Sequence, residues 1–114
     1  MAQFLVAIHH PEDYKPAVSE DEAMTREIDE LNDEMVATGI RVFVGGLQPA
    51  GAAKSLRLGP DGAINQSDGP YLETSEHVGG FWVLEVADFE AALQWGRKAA
   101  RACRAPVEVR QFHG

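Results

Sequence analysis

From Ala2 to His9, Phe4, Val6 and Ile8 alternate with Gln3, Leu5, Ala7 and His9. Both sets are largely apolar, which predicts a strand covered on both faces, and Pro11 ends it. The period then changes. After Ser19-Glu20-Asp21-Glu22, a capping box in which the Ser and Glu side chains satisfy exposed amides, Met24, Ile28, Leu31 and Met35 recur on one stripe with acids opposite. A helix is predicted to about Thr38, stopped by Gly39, with Glu22 and Arg26 as an i,i+4 pair. Ile40 to Val44 reads as a second strand whose end Gly45-Gly46 loosens, and Leu47 to Ala53 as a loop. Lys54 to Leu58 and Ala63 to Gln66 flank Gly59-Pro60-Asp61-Gly62 as a short hairpin. Phe81 to Val86 is a further strand. Asp88 opens a second helix with an inner stripe of Phe89, Ala92 or Leu93, Gly96, Ala99 or Ala100, and Cys103. Pro106 breaks it, and Val107 to Phe112 is the last strand.

The order is β-α-β, an inserted hairpin, then β-α-β. This predicts an α+β fold of the ferredoxin-like βαββαβ type, with two helices on one face of a four-stranded antiparallel sheet in the order 4-1-3-2. Neither a repeat nor a linker divides residues 1–114, so a single domain is expected.

Charge sharpens the picture. Of a net charge of −8, −7 falls between Glu20 and Glu34, where eight acids accompany Arg26 alone. This acidic helix face is expected to be solvated, to lie beside the basic end of the second helix (Arg97, Lys98, Arg101, Arg104), and to repel nucleic acid. No apolar run approaches the roughly 20 residues of a membrane span. Met1-Ala2-Gln3-Phe4 lacks a basic leader, so no membrane partner is expected. The single cysteine, Cys103, fits a reducing cytoplasm and reads as a small core residue.

The segment before the third core strand, Ser67 to Phe81, concentrates Gly, Pro and acids. Asp68-Gly69 is a turn pair, Pro70 is suited to open a helical turn, and Glu73 and Glu76 would share a face of that turn. If Phe4, Val6 and Ile8 face the helices, then His9, Glu85, Glu108 and Arg110 lie on the opposite face among apolar residues. His9 would meet Gly79-Gly80 at one edge of the sheet, beside a sheltered concavity on the helix-free side. His9 and Asp68 are the candidate acid-base pair, with Asp68, Glu73, Glu76 and Glu108 able to orient the imidazole. The competing readings are a strand-end histidine bonded to a loop carbonyl and an aspartate that caps its own turn. Arg57, Gly69, Pro70, Tyr71, Glu73, Glu76, Gly79, Gly80, Glu108 and Arg110 are candidate ligand-binding residues. Arg110 is able to hold a carboxylate bidentately or to bridge Glu108. Neither a metal nor a cofactor is expected. His9 and His10 alternate to opposite faces, His77 and His113 lack ligand spacing, and the glycine pairs form no dinucleotide fingerprint.

Asp68-Gly69-Pro70-Tyr71-Leu72-Glu73-Thr74-Ser75-Glu76 resembles the Asp-Gly-Pro-Phe-Ala-Glu-Thr-Lys-Glu signature of the DGPF branch of the YCII-related family. The similarity continues through Gly79-Gly80-Phe81 and Glu85 to Trp95, and ends at Val107-Glu108-Val109-Arg110. Gly45-Gly46-Leu47 and Arg57 also fit. The resemblance implies a ferredoxin-like subunit that pairs into a homodimeric α/β barrel with pockets on the sheet face, and no particular reaction. Distant YCII-type relatives are read as enzymes with a His/Asp pair whose histidine lies on the first helix. This sequence has no histidine between Ser19 and Thr38, so that pair does not carry over; Tyr71 for Phe and Ser75 for Lys are milder departures. The expected function is binding of a small polar or anionic organic molecule, with His/carboxylate acid-base chemistry. The alternative is a non-catalytic module for dimerisation or protein docking.

Overall fold

A computed structural model describes residues 1–15 and 20–114. Strand β1 (Ala2–Pro11) is followed by helix α1 (Glu22–Thr38) and β2 (Arg41–Gly46). A 3₁₀ turn (Ala50–Ala52) leads into the hairpin β3 (Lys54–Leu58) and β4 (Ile64–Asp68). Then come β5 (Glu76–Val86), α2 (Phe89–Cys103) and β6 (Val107–Gln111). Four strands form one antiparallel sheet in the order β2-β5-β1-β6, and β3-β4 is a separate two-stranded sheet. This is the expected α+β, ferredoxin-like arrangement with its inserted hairpin.

The alternation read from sequence decides which face is covered. Phe4, Val6 and Ile8 of β1 and Trp82, Leu84 and Val86 of β5 are buried, against Leu31 and Met35 of α1 and Ala92, Ala99 and Ala102 of α2. Phe4, Val6, Met35 and Leu84 are fully enclosed, so truncating Leu84 to Ala would cost about 2–5 kcal/mol. Gly96 lets α2 approach β6, because a Cβ there would lie 2.8 Å from a methyl of Val109. The helices lie side by side with charges matched as expected: Arg104 Nη2 is 2.7 Å from Glu27 Oε2, and Lys98 pairs with Glu34.

Several boundaries differ from expectation. Ser19 of the expected capping box lies outside the described residues; the observed cap is Asp21, whose Oδ1 accepts from the Met24 N–H at 2.8 Å. Among the described residues, Glu22 and Arg26 form no ion pair. Gly39 adopts a left-handed φ of 77° and closes α1 through bonds to Met35 and Val36, as a C-terminal glycine should. Gly45 and Gly46 remain paired in β2, opposite Phe81 and Gly80. The largest correction concerns the signature. No helical turn follows Pro70: residues 70–75 are bends and irregular chain, and β5 begins at Glu76, five residues before the predicted Phe81. Ladder pairing to the end of β1 draws this stretch into the sheet, overriding the local turn signal.

Candidate functional site

The centre of the site is an irregularity in the β1-β5 ladder. Ile8 opposes Gly80, but His9 opposes Val78, which leaves Gly79 as an extra residue on β5. A bulge shifts the inside-outside alternation by one. Beyond it, His10 faces His77 rather than Val78, and both imidazoles fall on the helix-covered side. Gly79 makes room for them, because a Cβ there would lie 2.1 Å from Cδ2 of His10.

Between this end of the sheet, the N-terminal half of α1 and the connection after β2 lies a cavity of about 300 Å³. Ile8, Val44 and Trp82 form its floor, Met24 and Ile28 its helical wall, and Gly45 to Ala50 its far side. Several of its polar groups come from the end of β1 and the connection to α1. The His10 ring stacks parallel on Tyr14, with centroids 3.7 Å apart. Tyr14 donates its hydroxyl proton to Glu20 Oε2 at 2.9 Å. Burial, helped by that bond and by the charge of Glu20, pushes the phenol up to about 12, so Tyr14 remains a donor. Burial lowers the pKa of His10 below its ordinary 6.5, and His9 adds to this while Glu20 opposes it. The imidazole is therefore neutral near pH 7 and able to accept a proton. Cys103, also at the wall, is pushed up to about 11, mainly by burial and then by Glu20, and is a poor nucleophile.

Deeper in, Asn32 fixes the wall. Its Oδ1 accepts from Trp82 Nε1 at 2.9 Å and Arg41 Nη1 at 3.1 Å, while its Nδ2 donates to the Ile28 carbonyl at 3.1 Å. His77 is different. Its Nε2 is buried without a hydrogen-bond partner among the described residues.

A profile of the YCII-related domain matches residues 1–112. The chain belongs to the YCII-related family. A relative, an uncharacterised protein of Rhizobium meliloti (strain 1021), is 32% identical over 83 residues, covering 73% of this chain and 66% of its own length.

In this YCII-related protein the predicted site residues are dispersed. Gly79 and Gly80 border the cavity, but His9 is on the other face, partly buried, with its backbone N–H on the Pro106 carbonyl at 2.9 Å. Proximity of His9 to Pro106 and to β5 is as expected; the cavity described above is a different one, on the helix side of the sheet. Asp68 is exposed at the end of β4 and paired with Lys54 at 2.6 Å, and no described hydrogen bond joins it to His9. Arg57 lies over the Tyr71 ring at 4.8 Å. Gly69 ties the base of the hairpin, its N–H on the Ala53 carbonyl and its own carbonyl accepting from Ser55 Oγ. Pro70 follows it outside the cavity lining, and Glu73 and Glu76 are exposed without a salt bridge among the described residues. Glu108 and Arg110 lie opposite Ala7 and Leu5, 4.0 Å apart and exposed.

Alternation from Phe4, Val6 and Ile8 sends His10 to the helix side, but it could not select Tyr14, Glu20 or His77. For His77 the available signal was Gly79-Gly80 inside an apolar strand pattern, which marks a bulge and so a change of face. Among the described residues no group of three or more His, Cys, Asp or Glu is placed to hold a metal ion, and no helix is long and apolar enough to cross a membrane.

Proposed function

We propose that this YCII-related protein binds a small organic molecule in the cavity between α1 and the β1-β5 bulge, with acid-base chemistry at His10. The observation that carries this is His77 Nε2, a buried polar atom with no described partner in the wall of a mostly apolar cavity. Such an atom is costly to leave unbonded, and a ligand group or water would satisfy it. A neutral His10 is suited to take a proton from that ligand, and the Tyr14-Glu20 pair beside it to stabilise the resulting imidazolium. The test is a ligand-observed NMR screen of a chemically mixed fragment set, repeated on His77→Ala and His10→Gln. Hits that both substitutions weaken support the reading; an absence of hits, or hits indifferent to both, rejects it.

A second reading is favoured by exposed apolar surface. Phe43 is 52% and Phe112 44% exposed on or beside the helix-free face. Leu56, Leu58 and Ile64 on one side of the hairpin are each at least 60% exposed. The molecule is only 18 Å deep along its shortest axis, two layers thick. A second copy laid against the bare face would complete a dimeric α/β barrel in a cytoplasmic homodimer. It would enclose His9, Glu108 and Arg110, and leave Asp68 at the foot of the hairpin. Light scattering on Phe43→Asp, Leu58→Glu, Asp68→Ala and Arg110→Ala tests it. Unchanged mass for all four, or a wild-type monomer, rejects the dimer.

A further inference from the structure

The lining of the cavity is unusual in its charge. Glu12 and Glu20 line it, while neither lysine nor arginine is among the described lining residues. Arg41 reaches Asn32 without itself lining the cavity, and its Nη1 is committed to the Asn32 side-chain oxygen. Glu20 Oε2 takes the Tyr14 hydroxyl, and among the described residues no group donates to Oε1. The other acids of α1, such as Asp29, Glu30 and Asp33, lie on its exposed outer face and do not line the cavity, so its negative charge is that of Glu12 and Glu20. Trp82, Phe81 and the stacked His10 and Tyr14 supply aromatic surface around the space.

An anionic head group would enter this space against two carboxylates, with no fixed cation to receive it. A protonated amine would gain a carboxylate acceptor at Glu20 and nearby aromatic rings, and would set its hydrocarbon against Met24 and Ile28. We infer that the cavity selects organic cations, an alkyl- or arylammonium head on an apolar body, with Glu20 as the counter-charge and specificity-determining residue. The inference rests on the cavity being a ligand site, and it narrows the polar or anionic molecule expected from sequence to a polar cation.

Three probes of one shape separate the two ideas: benzylamine, benzyl alcohol and benzoate, titrated by NMR into the full chain at neutral pH. The expected order is benzylamine tightest and benzoate weakest. Glu20→Gln should bring benzylamine down to the level of the alcohol, a loss of about tenfold, and leave the alcohol unchanged. Glu12→Gln, further from the Tyr14 hydroxyl bond, should have the smaller effect. If the alcohol binds but the amine binds no better, or the amine preference survives Glu20→Gln, the charge selection is overturned and the cavity stands as a neutral site. Tighter binding of benzoate overturns it outright. If none of the three perturbs His10, His77 or Trp82, the ligand site and its selectivity fall together.

Discussion

Gly79 lies so close beneath the His10 ring that a Cβ at position 79 would be 2.1 Å from the imidazole Cδ2. That closeness comes from the bulge that places Gly79 between the residues opposing Ile8 and His9. Gly79→Ala should therefore displace the ring from its stack on Tyr14 and destabilise the fold by about 1–3 kcal/mol. Urea unfolding measures the loss. In a His10→Ala background the same substitution should cost much less; an equal cost in both backgrounds would place the strain elsewhere.

Asn32 holds the indole of Trp82, which is only 3% exposed. Asn32→Ala leaves that N–H without its acceptor, and about 1–3 kcal/mol of stability should be lost. Asn32→Asp keeps an oxygen beside Trp82 and Arg41 and should lose less. Denaturant midpoints order the three proteins, and the tryptophan emission of the Ala variant should shift to the red.

His10 predicts a dependence of stability on pH. Its native pKa is lowered from 6.5, so on acidification the unfolded chain takes up this proton first. The group's contribution is complete above about pH 6.5 and is lost as pH falls through the lower native value. Thermal midpoints scanned downward from neutrality should fall in wild type, and the fall should be shallower in His10→Gln. Identical slopes would mean that this imidazole does not sense the buried environment.

Cys103 should resist alkylation. With its thiol pushed up to about 11 from an ordinary 9.0, iodoacetamide near pH 8 should label the folded chain roughly a hundredfold more slowly than the urea-unfolded chain. Mass spectrometry over time gives both rates, and comparable rates would show an accessible, unperturbed thiol.

The layers were legible in the sequence because burial writes a period into it. Phe4, Val6 and Ile8, and Trp82, Leu84 and Val86, point where their alternation says, and Met24, Leu31 and Met35 form the buried stripe of α1. The site was less legible because alternation carries information only until a strand slips. One extra residue at Gly79 exchanges the faces of β5 beyond it, which turns His77 inward opposite His10 beside the helix-side cavity, while His9 stays on the outward face that alternation gives it. Asp68 illustrates another limit. Its turn chemistry was visible, but its carboxylate is held by Lys54, fourteen positions away on the facing strand, a partner that follows from hairpin register. Tyr14 and Glu20, near the ends of the connection between β1 and α1, carry no periodic signal at all.

The β3-β4 hairpin draws its ladder from within itself and is anchored at its root by the Gly69-Ala53 and Ser55-Gly69 bonds. Lengthening, shortening or recolouring its tip therefore leaves the principal sheet's own ladder intact. Such an appendage offers a natural graft point for peptides or labels.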